Sequence, residues 1–146
     1  MIYTPLTEKA LKLCFEAHKK QTDKNGIPYV FHPFHLAEQM EDELSVIVAL
    51  LHDVVEDTDY TLEDLEAMGF PKEALEAIAL LTHDPKVAYE TYLIPIKANP
   101  LACRVKLADL RHNSDRSRLR DPSPKILAKW QTYEKAIVFL TATESA

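Results

Sequence analysis

The chain has 146 residues, 47% hydrophobic and 27% charged, with 2 Gly against 9 Pro, which suits one soluble core and excludes a turn-rich all-β fold. A net charge of −6 argues against general nucleic-acid binding. The longest apolar run, residues 46–51, is far below the roughly 20 residues of a membrane span. The opening MIYTPLTEKA has neither the basic nor the apolar segment of a secretory leader, so the expectation is one domain over 1–146, in the cytoplasm and off the membrane.

Helical periodicity runs through nearly the whole chain without a repeat or low-complexity stretch, predicting an all-α bundle of about eight helices. The first covers 5–20, with Thr4 as N-cap, Pro5 at the first helical position and Leu6, Ala10, Leu13 and Ala17 on one stripe. Asn25-Gly26 and Pro28 turn the polar loop 21–29. A short helix follows over 33–40, then one over 43–57 that is apolar on every side in its first half. Thr61 and Asp64 have capping-box spacing, opening a short helix that Gly69 closes. Helices over 72–81, 88–98, 100–115 and 123–143 are separated by Pro85, Asn99-Pro100 and the Pro122/Pro124 pair. Cys14 and Cys103 belong to no ligand or redox spacing and read as buried free thiols.

The most hydrophobic helix runs straight into His52, Asp53, Glu56 and Asp57. Burying such groups costs several kcal/mol unless they are paired or bound to a metal, and the segment has almost no cations of its own. A divalent ion answers that need. His52 and Asp53 point about 100° apart on a helix and approach an ion only from one flank, so other ligands must come from elsewhere. His32, held extended before Pro33, and Asp109 are the best candidates. Two imidazoles and two carboxylates suit Mn²⁺, Fe²⁺ or Zn²⁺ and leave positions for water. Glu56 and Asp57, one turn on, are placed to align the nucleophile or carry its proton.

Lys106, Asp109, Asn113 and Arg116 form one stripe at i, i+3, i+7 and i+10 on the 100–115 helix. Residues 38–76 hold 13 acidic side chains and one basic, residues 104–129 hold 8 basic and 3 acidic; that asymmetry suits a metal plus an anionic substrate. Lys24, Lys106, Arg111, Arg116 and Arg118 are the candidate phosphate contacts. His18, His35, His83 and His112 belong to no complete constellation and read as packed or surface histidines.

HKKQTDKNGIPYVFHP (18–33), ALLHDVVEDTDYT (49–61), Leu81-Thr82 and VKLADLRHN (105–113) together resemble the HD-domain superfamily, in particular the hydrolase half of RelA/SpoT enzymes and the stand-alone small alarmone hydrolases. The resemblance implies a helical HD-type bundle and a mononuclear Mn²⁺-type site of His32, His52, Asp53 and Asp109. It implies Glu56 and Asp57 as catalytic acids, Asn113 as a substrate contact, and hydrolysis of the 3′-pyrophosphate of guanosine tetra- or pentaphosphate. Two positions depart from the family pattern: Asp23-Lys24 where the family shows Arg-Lys, and Leu110-Arg111 where it runs Arg-Leu. An acid at 23 makes no cation-π or phosphate contact. A nucleotidase or phosphodiesterase of the wider HD group, or a non-catalytic nucleotide-sensing module, are the alternatives. The partner is a small phosphorylated nucleotide, and homo-oligomerisation stays open.

Overall fold

The computed structural model describes residues 1–120 and 122–143. The described residues form α1 (Pro5–His18), α2 (Phe31–Glu38), α3 (Glu43–Leu51), α4 (Val54–Asp57), α5 (Leu62–Ala67), α6 (Lys72–Leu81), α7 (Tyr89–Ala98), α8 (Pro100–Asn113), a 3₁₀ turn (Arg116–Arg118) and α9 (Pro124–Thr141). None of these helices is long and apolar enough to cross a membrane.

At the centre lies α3. Residues Ser45 to Leu51 are all buried, because Val, Ile, Leu and Ala leave no polar face to turn outward. It packs against α1, α2, α6 and α8, and α2 and α8 also touch each other. The ends of α2, α3 and α8 are thus held around one interior point. Asp42 starts α3: its Oδ1 accepts from the Ser45 amide at 2.8 Å and the Ser45 hydroxyl at 2.7 Å, and its Oδ2 accepts from Arg104 of α8 at 2.9 Å.

Other caps follow the sequence reading. Thr4 and Thr7 form a reciprocal capping box with Pro5 at the first position, Thr61 and Asp64 a second, and Ser123 caps α9. Gly69, at φ 90, takes the left-handed turn after α5 that only Gly adopts freely.

Three expectations need correction. The 43–57 helix is interrupted at His52–Asp53: Asp53 sits at φ −103, ψ −2, in the bridge region, and α4 starts afresh, giving nine α-helices among the described residues. Second, α2 begins at Phe31, so Pro33 is its third residue, where the missing N–H falls among the amides that lack intrahelical acceptors. His32 is therefore helical rather than extended. Third, α8 stops at Asn113. The Ser114 hydroxyl bonds the Leu110 carbonyl at 2.7 Å and Asp115 caps the 3₁₀ turn through the Ser117 amide at 2.9 Å, local bonds that compete with helix.

Asp42→Ala is expected to cost about 1 kcal/mol by loss of the α3 cap, read as a lower urea midpoint. The Ser45 and Arg104 bonds hold the Asp42 carboxyl below its ordinary 3.8. Its charge-linked stabilisation is thus present above that value and is lost as pH falls below it. The gap between wild type and variant should narrow in acid.

Candidate metal centre

Ligand atoms of His32 (α2), His52 (the α3–α4 junction) and Asp109 (α8) lie within 4.8 Å of one another, at 5%, 3% and 7% exposure. His32 Nε2 is 2.8 Å from Asp109 Oδ1, and His52 Nε2 is 3.6 Å from the same oxygen. Asp53 joins from the other side, its Oδ2 3.1 Å from His52 Nε2. The helix break makes this possible. Asp53 is the N-cap of α4 yet caps nothing with its side chain, so its carboxylate turns to the same point as the preceding imidazole. Asp53, Glu56 and Asp57 form a second group of mutually close carboxylates.

Each member is oriented by a bond on its far side. His52 Nδ1 donates to the Ala49 carbonyl at 2.7 Å, which leaves Nε2 facing the carboxylates. That atom is buried and has no hydrogen-bond partner. The Tyr29 hydroxyl donates to Asp53 Oδ2; burial first, then the Asp53 charge, hold the phenol far above its ordinary pKa. Asp109 Oδ2 accepts from Lys106 Nζ at 3.1 Å and Oδ1 from Asn113 Nδ2 at 3.1 Å. Lys106 lies 5.4 Å from the Tyr92 ring centre and 5.9 Å from that of Tyr89, shielded from water but still charged, since Asp109 outweighs its burial. On His32 the second nitrogen, Nδ1, meets His112 Nδ1 at 2.6 Å.

The electrostatics require positive charge at the centre. Burial opposes ionisation of Asp109, but Lys106 and the two histidines hold it well below the usual carboxylate range. Burial likewise disfavours a charged His52, but Asp53 and Asp109 pull its pKa well above normal. A lone pair on buried Nε2 between two carboxylates is repelled by both unless a proton or a cation lies between them. The donor set of two imidazole nitrogens and two carboxylates fits a divalent transition ion.

Glu56 and Asp57 lie on α4 at the edge of this centre. Glu56 Oε1 accepts from the His83 amide at 2.6 Å and is fixed. Burial, then the Asp53 and Glu56 charges, push the Asp57 carboxyl up to about 6.

A cavity of about 550 Å³ reaches outward from Tyr29 and Asn113, with Lys24, Arg118, Arg120 and Lys129 on its walls against Asp23 and Asp115. The excess of cations suits an anionic ligand. Lys24 lies against Lys129, whose proximity, with slight burial, holds its ammonium below the ordinary value. Asp23 is used structurally: its Oδ1 accepts from the Asn25 amide at 2.8 Å and the Ile27 amide at 3.0 Å, and its Oδ2 is 3.6 Å from Arg118. The position that departs from the family thus ties down the loop and brings in Arg118 as a cation. A larger groove of about 690 Å³ beside Phe15 and Phe31 lies on the outer face of α1 and α2, away from these groups.

Of the predicted substrate contacts, Lys24 and Asn113 line the cavity and Lys106 brackets Asp109. Two are not brought to it. Arg111 is exposed, because two residues along a helix rotate it about 200° from Asp109. Arg116 falls beyond the end of α8, pairing with Glu134 at 3.5 Å and lying 5.4 Å from the Trp130 ring centre. Tyr29 and His112 belong to the centre and were missed. His112 is one turn after Asp109 on the same helix face, and Tyr29 is three residues before His32; that spacing was the available signal.

No protein-family model matches the chain. It is 31% identical over 118 residues to the guanosine-3′,5′-bis(diphosphate) 3′-pyrophosphohydrolase of Aquifex aeolicus, covering 73% of this chain and 17% of that protein. It is 34% identical over 113 residues to the bifunctional (p)ppGpp synthase/hydrolase SpoT of Escherichia coli, covering 67% and 16%. To a probable GTP pyrophosphokinase of Mycobacterium leprae it is 29% identical over 141 residues, covering 88% and 18%. The chain thus spans about a sixth of the length of these relatives. Its fold matches a solved metazoan ortholog of SpoT described as hydrolysing ppGpp, with TM-score 0.78, 24% identity, and 99% and 90% of the two chains covered. With fold, relatives and motif order in agreement, the chain is a RelA/SpoT-type member of the HD-domain superfamily.

Proposed function

We propose that this chain is a metal-dependent phosphohydrolase that removes the 3′-pyrophosphate of guanosine tetra- or pentaphosphate, with His32, His52, Asp53 and Asp109 holding a divalent ion, Mn²⁺ by preference. The observation that carries the reading is the buried His52 Nε2, which makes no well-aligned hydrogen bond yet lies 3.1 and 3.6 Å from two carboxylate oxygens. The relatives' names supply the substrate class.

When bound, the ion supplies positive charge to the phosphoryl oxygens and acidifies water. The protein does the rest. Asp57 takes the proton of the attacking water, a role suited to a carboxyl near pKa 6 that is ionised at neutral pH. Glu56, anchored on the His83 amide, fixes the edge at which the water is aligned. Water adds to the phosphorus next to the ribose, the bond to the 3′-oxygen breaks, and a proton completes the hydroxyl of the released nucleoside 5′-polyphosphate. The other product is pyrophosphate. Lys24, Arg118 and Lys129 along the cavity hold the remaining phosphates, with Asn113 at its inner end.

Mn²⁺-loaded protein incubated with guanosine tetraphosphate should release pyrophosphate, measured by ion chromatography. Orthophosphate as the sole product would replace this reading with a nucleotidase, and no turnover of any nucleotide would remove the enzyme reading. His52→Ala should lose both bound metal and activity. Asp57→Asn should keep the metal while kcat falls about 10²–10⁴-fold. In the wild type, kcat should fall as pH drops through the region at or below 6, where Asp57 becomes protonated; Asp57→Asn should lack that limb.

A further inference from the structure

α8 grips both nitrogens of one imidazole. Asp109 Oδ1 lies 2.8 Å from His32 Nε2, and His112, one turn further on, puts its Nδ1 2.6 Å from His32 Nδ1. The two ring planes are within 11° and their centroids 4.9 Å apart. With the nitrogens so much closer than the centroids, the rings meet edge to edge, as an N–H···N hydrogen bond requires. A bond between two Nδ1 atoms holds a single proton, and which ring carries it depends on what His32 Nε2 does. If Nε2 is to give its lone pair to a cation, its proton must sit on Nδ1, and His112 must then be the acceptor.

We infer that His112 is a positioning residue: it accepts the His32 Nδ1 proton, fixing the tautomer and ring angle that present Nε2 to the metal. The inference rests on the metal reading above. His112 is itself held in place. Its carbonyl accepts from Arg118 Nη1 at 2.6 Å, and the His35 ring packs on its outer side at 4.3 Å between centroids. Tyr29 does the corresponding work for Asp53, the Ala49 carbonyl for His52, and Lys106 with Asn113 for Asp109, so His112 completes a set in which every member of the centre has an outer partner.

The test is calorimetric titration of metal-stripped protein with Mn²⁺ alone. His112→Phe, which keeps a ring but cannot accept, should bind Mn²⁺ about 10–100-fold more weakly. His112→Asn, whose Oδ1 can stand near the position of Nδ1, should recover most of that loss. Wild-type affinity in a folded His112→Phe protein would overturn the inference while leaving the metal reading intact; no saturable Mn²⁺ binding by the wild type would overturn both. The second measurement needs no variant. In Zn²⁺-loaded wild type labelled with ¹⁵N-histidine, His32 Nδ1 should carry its proton and His112 Nδ1 should not, and the reverse assignment would overturn the inference.

Discussion

His32, His52 and Asp109 meet in the interior, with the Asp53 carboxylate against His52, and their charge must be balanced there. Asp53 and Asp109 both face His52 Nε2, at 3.1 and 3.6 Å, in a region that water scarcely reaches. Lys106 offsets part of the negative charge from behind Asp109. It approaches the outer oxygen and leaves the inner side of the cluster for something else. A cation held between the groups would turn an arrangement that opposes folding into one that supports it, because binding that occurs only in the native state adds to stability.

The geometry of that point follows from the burial of α3. A helix covered on all sides has its axial position set by neighbours on every face, so its end is delivered to a defined place. The break at His52–Asp53 then does what a continuous helix could not: consecutive side chains, which would diverge, meet at one position. α2 and α8 bring His32 and Asp109 from the opposite wall. The same construction leaves α4, with Glu56 and Asp57, at the edge between the dry centre and the cation-lined cavity, where a carboxyl can be half buried and still exchange a proton.

Most helices were legible because the caps are local and chemical: Thr4, Thr61, Ser123 and Gly69 announce boundaries through bonds made within a few residues. The His52–Asp53 group was legible for a different reason, since polar groups at the end of an all-apolar helix demand a partner. What the sequence could not disclose was the break itself, which depends on tertiary demand at Asp53 rather than on a Gly or Pro. The helical state of His32 was hidden too, because a proline in the first turn of a helix and one just outside it look the same in a pattern. Extending the α8 stripe to Arg116 assumed that the helix continued through Ser114 and Asp115, whose side chains bond the local backbone instead. Tyr29 and His112 act through other residues, so no motif chemistry of their own marked them.

Everything proposed for this site depends on His32, His52, Asp53 and Asp109 converging on one cation. Anomalous diffraction at the manganese edge from crystals grown with Mn²⁺ measures it most directly. A single strong peak is expected within coordination distance of His32 Nε2, His52 Nε2 and the Asp53 and Asp109 carboxylates. A peak elsewhere, or none at full Mn²⁺ saturation with Asp109 still bonded directly to His32, would contradict it.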